Sequence, residues 1–215
     1  MNSWNAKRER MVERQLASRG IESERLLEAM RLLPRHLFVP KLARGEAYED
    51  RPLPIGLGQT IAQPYMCAYM TQALELKGGE KVLELGTGSG YQAALLGMLA
   101  GEVYSLELQP EFVRRAGRRL KALKLANVEI ALSDGFEGWL EHAPFDRILL
   151  TAAVEEVPLD LAGQLKKGGW LIAPIGKPQA QKLCRMERGP GGWRTIELIP
   201  VAFVPARRAP AGGTA

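Results

Sequence analysis

From Lys81 onward the chain alternates short apolar runs with amphipathic stretches, and this alternation restricts the fold more than any other feature. Lys81–Leu85, Val103–Leu106, Val128–Leu132, Arg147–Leu150 and Trp170–Ile175 read as strands. Between them, Tyr91–Leu99, Glu111–Lys124 and Leu159–Leu165 read as helices. Strands that are apolar throughout are buried on both faces. With helices between them, they imply an α/β domain built on a largely parallel sheet covered on each side. Lys182–Glu187, a Gly189-Pro190-Gly191-Gly192 turn and Trp193–Phe203 read instead as a hairpin-like pair, which adds an antiparallel edge to the sheet.

The first third of the chain follows other rules. Val12–Ser18 and Ser23–Leu33 have helical periodicity, Pro34 stops the second run, and Ser23 is placed to cap it. The stretch from Arg44 to Pro64 is rich in Gly and Pro yet too apolar for a solvated linker. It is expected to be a long ordered loop of functional use. Pro64 then fits the first turn of a helix over Tyr65–Leu76. The expected organisation is a single domain: helices and loop over 1–78, a core over 79–205, and a disordered tail over 206–215.

The sharpest motif is Val82-Leu83-Glu84-Leu85-Gly86-Thr87-Gly88-Ser89-Gly90-Tyr91, a buried strand running through a glycine turn into a helix. Glycines there let a backbone approach a ligand closely, and ligands of open parallel sheets bind at the carboxyl ends of the strands. The dinucleotide spacing G-x-G-x-x-G would need glycine where Tyr91 stands, and no Gly-Lys-Ser/Thr follows to make a phosphate loop. Glu107, at the end of the next strand and followed by Leu108, is placed to accept from both hydroxyls of a ribose. It would read the same as an ordinary strand-end glutamate. After the third strand come Ser133, Asp134 and Gly135. Asp134 can accept from an adenine amino group, although Asp-Gly is also a common turn. Glu84 either holds a ligand amino group or supports the loop.

The spacing Gly86-x-Gly88-x-Gly90 after an acidic strand resembles the first motif of S-adenosylmethionine-dependent methyltransferases. A second segment is more specific. Gly58-Gln59-Thr60-Ile61-Ala62-Gln63-Pro64-Tyr65-Met66 resembles the substrate loop of the protein-L-isoaspartate O-methyltransferases. Leu33–Pro40, Tyr48, Pro144–Ile148, Thr151-Ala152-Ala153, Gln164–Gly169 and Val201–Pro205 resemble further segments of that family, so the likeness runs from about Arg10 to Pro205. It implies a class I, Rossmann-like methyltransferase fold, with a mostly parallel seven-stranded sheet, an antiparallel edge strand and an N-terminal helical region. It implies S-adenosyl-L-methionine as cofactor, S-adenosyl-L-homocysteine as product, and no metal. Cofactor contacts are then expected from Glu84, Gly86, Thr87, Gly88, Gly90, Glu107, Leu108, Ser133, Asp134 and Gly135. Substrate contacts are expected from Gln59, Ile61, Gln63, Thr151, Ala152, Phe203 and Val204. The catalytic position falls on Ala62 and Thr60.

Family members of this kind methylate the free α-carboxylate of an isoaspartyl residue in a damaged protein. The ester closes to a succinimide, part of which reopens to normal aspartate. The alternatives are a small-molecule methyltransferase and a catalytically weakened cofactor-binding homologue. An amino-methyltransferase of nucleic acids would carry an Asn/Asp-Pro-Pro-aromatic motif where this chain has Leu150-Thr151-Ala152-Ala153. The net charge of +5 is spread along a helix face, Arg114, Arg115, Arg118, Arg119, Lys121 and Lys124, without interleaved aromatics, and reads as solvated surface rather than a nucleic-acid site. The two cysteines, Cys67 and Cys184, and the two histidines, His36 and His142, have no metal-ligand spacing. The polar N-terminus and the lack of any run near the roughly 20 apolar residues of a membrane span lead to an expectation of a cytoplasmic protein with no membrane partner. With no apolar stripe left over, a monomer is expected.

The family usually has serine where this chain has Ala62. An acceptor carboxylate, with a pKa of about 4, is already ionised at neutral pH and needs no general base. The hydroxyl would therefore only orient it, an effect of roughly 1.5–3 kcal/mol, or about 10- to 150-fold in rate. The natural protein is expected to transfer methyl groups, and Ala62→Ser to change kcat/KM by no more than that factor. A natural protein that is inert and revived by the serine would refute this.

Overall fold

The computed structural model describes residues 3–189 and 191–208 of the chain. Its centre is β3 (Lys81–Leu85), where Val82 and Leu83 are fully buried on opposite faces. The chain leaves β3 through α4 (Tyr91–Gly97) to β4 (Glu102–Glu107), then through α5 (Pro110–Ala122) to β5 (Val128–Leu132). It then crosses to the other side of β3 and lays down β6 (Phe145–Leu150) and, past the short α6 (Leu159–Ala162), β7 (Leu165–Ile175). Two strands close the sheet, β8 (Lys182–Gly189) and β9 (Gly192–Pro200), giving the order β5-β4-β3-β6-β7-β8-β9 among the described residues.

The first five strands are parallel, with Val82 opposite both Val103 and Arg147. The strand that runs against the rest, β8, lies second from the edge, and β9 completes the sheet antiparallel to it. The direction of the chain thus reverses on either side of β3. The carboxyl end of β3 faces a crevice flanked by the ends of β4 and β6, the place where open α/β sheets bind ligands.

The N-terminal elements cover one face. Met11, Leu16, Leu26, Met30 and Leu33 share a buried cluster with Tyr91, Leu95 and Phe112 of α4 and α5. α2 (Glu24–Leu32) begins as expected at Ser23, whose hydroxyl accepts from the Leu26 N–H at 3.4 Å. Helix also forms where the sequence has no apolar stripe. α1 (Ser3–Met11) buries only Met11, and it runs on through π and 3-10 turns to Arg19. Tertiary contacts hold it: Trp4 stacks on His36 at 4.6 Å, and Lys7 donates to Gly45 O at 3.0 Å.

Two further expectations need correction. The 44–64 stretch is not a plain loop, because β1 (Leu53–Gly56) pairs antiparallel with β2 (Gln59–Ile61). The two residues between them, Leu57 and Gly58, have φ of +52° and +69°, and such turns match the twist of a hairpin. Pro64 then opens α3 (Pro64–Ala73). The helix expected over Leu159–Leu165 stops at Ala162, and Leu165 already pairs with Phe145. A register shift past Gly168 and Gly169 lets β7 start before Trp170. Gly169 is required there, since a Cβ would lie 2.7 Å from Asp146 O.

Gly90 fixes the fit of α4 on α5. Its φ is +83°, and a Cβ there would stand 2.8 Å from the Cβ and 3.3 Å from the Cα of Ala116. Gly90→Ala is expected to cost about 2–4 kcal/mol, through left-handed backbone strain and overpacking against a helix backbone. The urea midpoint measures this, and an unchanged midpoint would contradict it.

Candidate active site

The glycine turn hangs from the end of β4. Gly86 N–H and Thr87 N–H both donate to Leu106 O, at 2.8 and 3.2 Å. Gly86 has φ of +95°, and a Cβ on it would lie 2.4 Å from Thr151 Oγ1. The Thr151 hydroxyl donates between Gly86 O at 2.7 Å and Leu85 O at 2.9 Å, closing the ends of β3 and β6 together. Glu107 does the same on the other side. One carboxylate oxygen accepts from Gly88 N–H at 2.7 Å and the other from Gln109 N–H at 2.8 Å. Each oxygen keeps lone pairs for further donors.

These ends border a cleft of about 860 Å³, counting the part open to solvent. Glu107, Leu108, Ser133 and Gly135 line it, with Gly86 and Gly88 at its floor. Gln59 and Ala152 line it as well. A second, wider cleft of about 1780 Å³, counted in the same way, adjoins it, lined by Ile61, Ala62, Gln63, Thr87 and Phe203. Thr60, Gly86, Gly88, Thr151 and Val204 belong to both. A ligand in the first cleft therefore meets a ligand in the second across this junction.

Of the expected cofactor residues, Thr87 lines the second cleft alone, and three others line neither. Glu84 is fully buried and lines neither cleft. It accepts from Ser105 Oγ at 2.5 Å, and that hydroxyl lies 2.5 Å from Thr87 Oγ1, so Glu84 supports the glycine turn from beneath. Gly90 is a packing position. Asp134 is not part of the lining; its carboxylate accepts from Phe136 N–H at 3.0 Å and caps the turn that presents Gly135.

Some lining residues carried no local signal in the sequence. Ile55, Phe112 and Phe136 give the first cleft apolar walls, and Met70 lines the second. Phe112 reads only as one apolar position of an amphipathic helix, so its place at the cleft follows from the packing of α5 under β4. Gln181 is buried and clamps the cleft wall, donating to Phe203 O at 3.1 Å and accepting from Phe203 N–H at 2.6 Å. The expected tail differs at its start. Ala206 N–H donates to Ala153 O at 2.7 Å, and Ala206 and Arg207 line the first cleft. Residues 209–215 of that tail lie outside the described residues.

The family model described as Protein-L-isoaspartate(D-aspartate) O-methyltransferase (PCMT) matches residues 6–210. The chain belongs to this family. A protein-L-isoaspartate O-methyltransferase 1 of Syntrophobacter fumaroxidans is 50% identical over 204 residues, 95% of each chain. A protein-L-isoaspartate O-methyltransferase of Methanoculleus marisnigri is 51% identical over 92% of this chain and 90% of its own. A solved structure titled protein-L-isoaspartate O-methyltransferase is 28% identical with a TM-score of 0.83, covering 93% of this chain and 66% of that one. The structure of a Plasmodium falciparum protein described as a putative member, in complex with S-adenosyl-L-homocysteine, is 25% identical with a TM-score of 0.81. It covers 94% of this chain and 99% of that one.

As an isoaspartate-methyltransferase family member, the protein carries its most perturbed carboxyl beneath the glycine turn. Burial pushes Glu84 from the usual 4.5 up to about 8, with Glu107 adding to the rise against the Ser105 hydrogen bond. A folded-state pKa above the unfolded one draws protons into the folded state. Stability then falls as pH climbs from 4.5 to about 8 and levels off above that. Glu84→Gln lifts this penalty. Its gain in urea resistance over the natural protein is expected to be absent below pH 4.5 and to widen up to about pH 8. A pH-independent difference would rule the account out.

Proposed function

We propose that the protein is a protein-L-isoaspartate O-methyltransferase that methylates the free α-carboxylate of L-isoaspartyl residues in damaged proteins, the step that returns them to the succinimide. The observation that carries this is the meeting of two clefts at Thr60, Gly86, Gly88, Thr151 and Val204. One cleft suits a nucleoside and the other an extended peptide.

The first cleft fits S-adenosylmethionine by its donor set. Glu107, already held by two backbone N–H groups, offers acceptors for a ribose diol. Leu108, Phe112 and Phe136 offer flat apolar surface for a purine, and Gly88 allows close backbone approach. Bound there, the cofactor supplies an electrophilic sulfonium methyl. The chain's own residues then align the acceptor and exclude water. In this reading Thr60 and Ala62 flank the acceptor carboxylate, Gln59, Ile61 and Gln63 hold the peptide, and Thr151, Ala152, Phe203 and Val204 form the floor and far wall. Thr60 is exposed at the junction and free to donate to a carboxylate oxygen. The same proposal has the protein act as a monomer on cytoplasmic proteins, with no nucleic acid or membrane as partner.

Labelled methyl transfer to a short isoaspartyl peptide, beside the same peptide with ordinary aspartate, tests this. The expected result is label on the isoaspartyl peptide alone, lost as volatile methanol at mildly alkaline pH. Label on neither peptide, with the cofactor still bound, would overturn the acceptor assignment.

A further inference from the structure

Behind the acceptor cleft lies a cation that the reaction as described does not use. Arg35 is fully buried. Its Nε donates to Ala47 O at 2.8 Å and its Nη2 to Ala62 O at 2.7 Å, while Nη1 has no hydrogen-bond partner. Its guanidinium carbon lies 4.9 Å from the centre of the Tyr91 ring. Among the described residues no carboxylate pairs with it. Burying a charge without a counter-ion is costly, and here its positive field falls on the two carbonyl oxygens and the Tyr91 ring that face it.

The field reaches the cleft through one peptide unit. The only cis bond among the described residues joins Ala143 to Pro144, so the Ala62–Gln63 peptide is trans. In a planar trans peptide the C=O and N–H point to opposite sides. Ala62 O is turned to Arg35, so Gln63 N–H is turned away from it, and Ala62 and Gln63 both line the acceptor cleft. That N–H has no acceptor among the described residues. Gln63 is also the residue that precedes the first turn of α3, whose N-terminal end adds partial positive charge. A cation on the carbonyl oxygen polarises the amide and strengthens its N–H as a donor.

We propose, building on the carboxylate-acceptor reading above, that Arg35 is a positioning residue for the methyl-accepting carboxylate. It acts through the Ala62–Gln63 peptide, whose N–H donates to the carboxylate where a serine hydroxyl would otherwise serve. The ligand feature recognised is the negative charge itself, so the cleft prefers a carboxylate over an isosteric carboxamide.

Calorimetric binding of an isoaspartyl peptide and of its α-carboxamide analogue, with S-adenosyl-L-homocysteine present, tests this. Gln63→Pro removes the N–H at a residue whose φ of −57° suits proline. Arg35→Gln keeps a polar side chain but removes the charge, and Arg35→Lys keeps the charge. Gln63→Pro and Arg35→Gln are each expected to cut the preference for carboxylate over carboxamide by about 10-fold or more. Arg35→Lys is expected to retain most of that preference, and S-adenosyl-L-homocysteine affinity is expected to stay unchanged. A merely structural role would weaken both peptides together and leave the ratio intact, which would overturn the proposal. If Arg35→Gln does not fold, Gln63→Pro decides alone. Carboxylate preference lost in the variants of a protein that transfers no methyl group would support this inference while refuting the acceptor chemistry.

Discussion

Two side chains at the carboxyl end of β3 hold the site together. Glu107 pins the glycine turn to the end of β4 through Gly88 N–H, and Thr151 closes the same turn against β6 through Gly86 O. Each is a short contact between backbone and a strand-end side chain. Together they tie three strand ends to one turn, so the crevice at the reversal of strand order is preformed. Preformation matters because the reaction assigned here offers the protein little covalent chemistry. Its contribution is alignment, and alignment is only as good as the rigidity of the groups that provide it.

The polar groups beneath this frame are kept at a cost. Glu84 is buried with one oxygen unpartnered, Tyr91 is buried with its hydroxyl unpartnered, and Arg35 is buried with one free nitrogen. All three lie under or behind the loops that line the clefts. A core built for stability alone would replace such groups with packed hydrocarbon. Glu84, kept mostly protonated at neutral pH by its burial, supports the glycine turn as a hydrogen-bonding group, and Arg35 stands as a cation behind the acceptor loop.

The far wall depends on chain segments distant in sequence. Gln181 holds Phe203 by both backbone groups, and Ala153 brackets Val204 and Ala206. On β7, the Trp170 ring is met by the guanidinium groups of Arg147 and Arg185, at 3.2 and 3.8 Å from its centre, and its indole N–H donates to Ala73 O at 3.0 Å. These contacts tie the end of α3, and with it the acceptor loop, to the sheet.

The sequence by itself determined the parallel core, the glycine turn, the acidic group after β4 and the family of the acceptor loop. Each is written in local periodicity or contiguous residues: Val82 and Leu83 bury opposite faces because side chains alternate along a strand, and Gly86 and Gly88 are needed within one turn. Tertiary structure decided the rest. α1 has no apolar stripe and exists because Trp4 finds His36. Leu57 and Gly58 make a hairpin because β1 and β2 have buried side chains to pair over. Glu84 was equally readable as ligand or support, and only its burial beneath Thr87 and Ser105 separates the two. Phe112, Gln181 and Arg207 reach the site by packing between segments far apart in the chain, and Arg35 meets Ala62 across twenty-seven residues. Local pattern records what a segment needs from its own neighbours; which distant group completes it is settled only when the sheet brings them within a few ångströms.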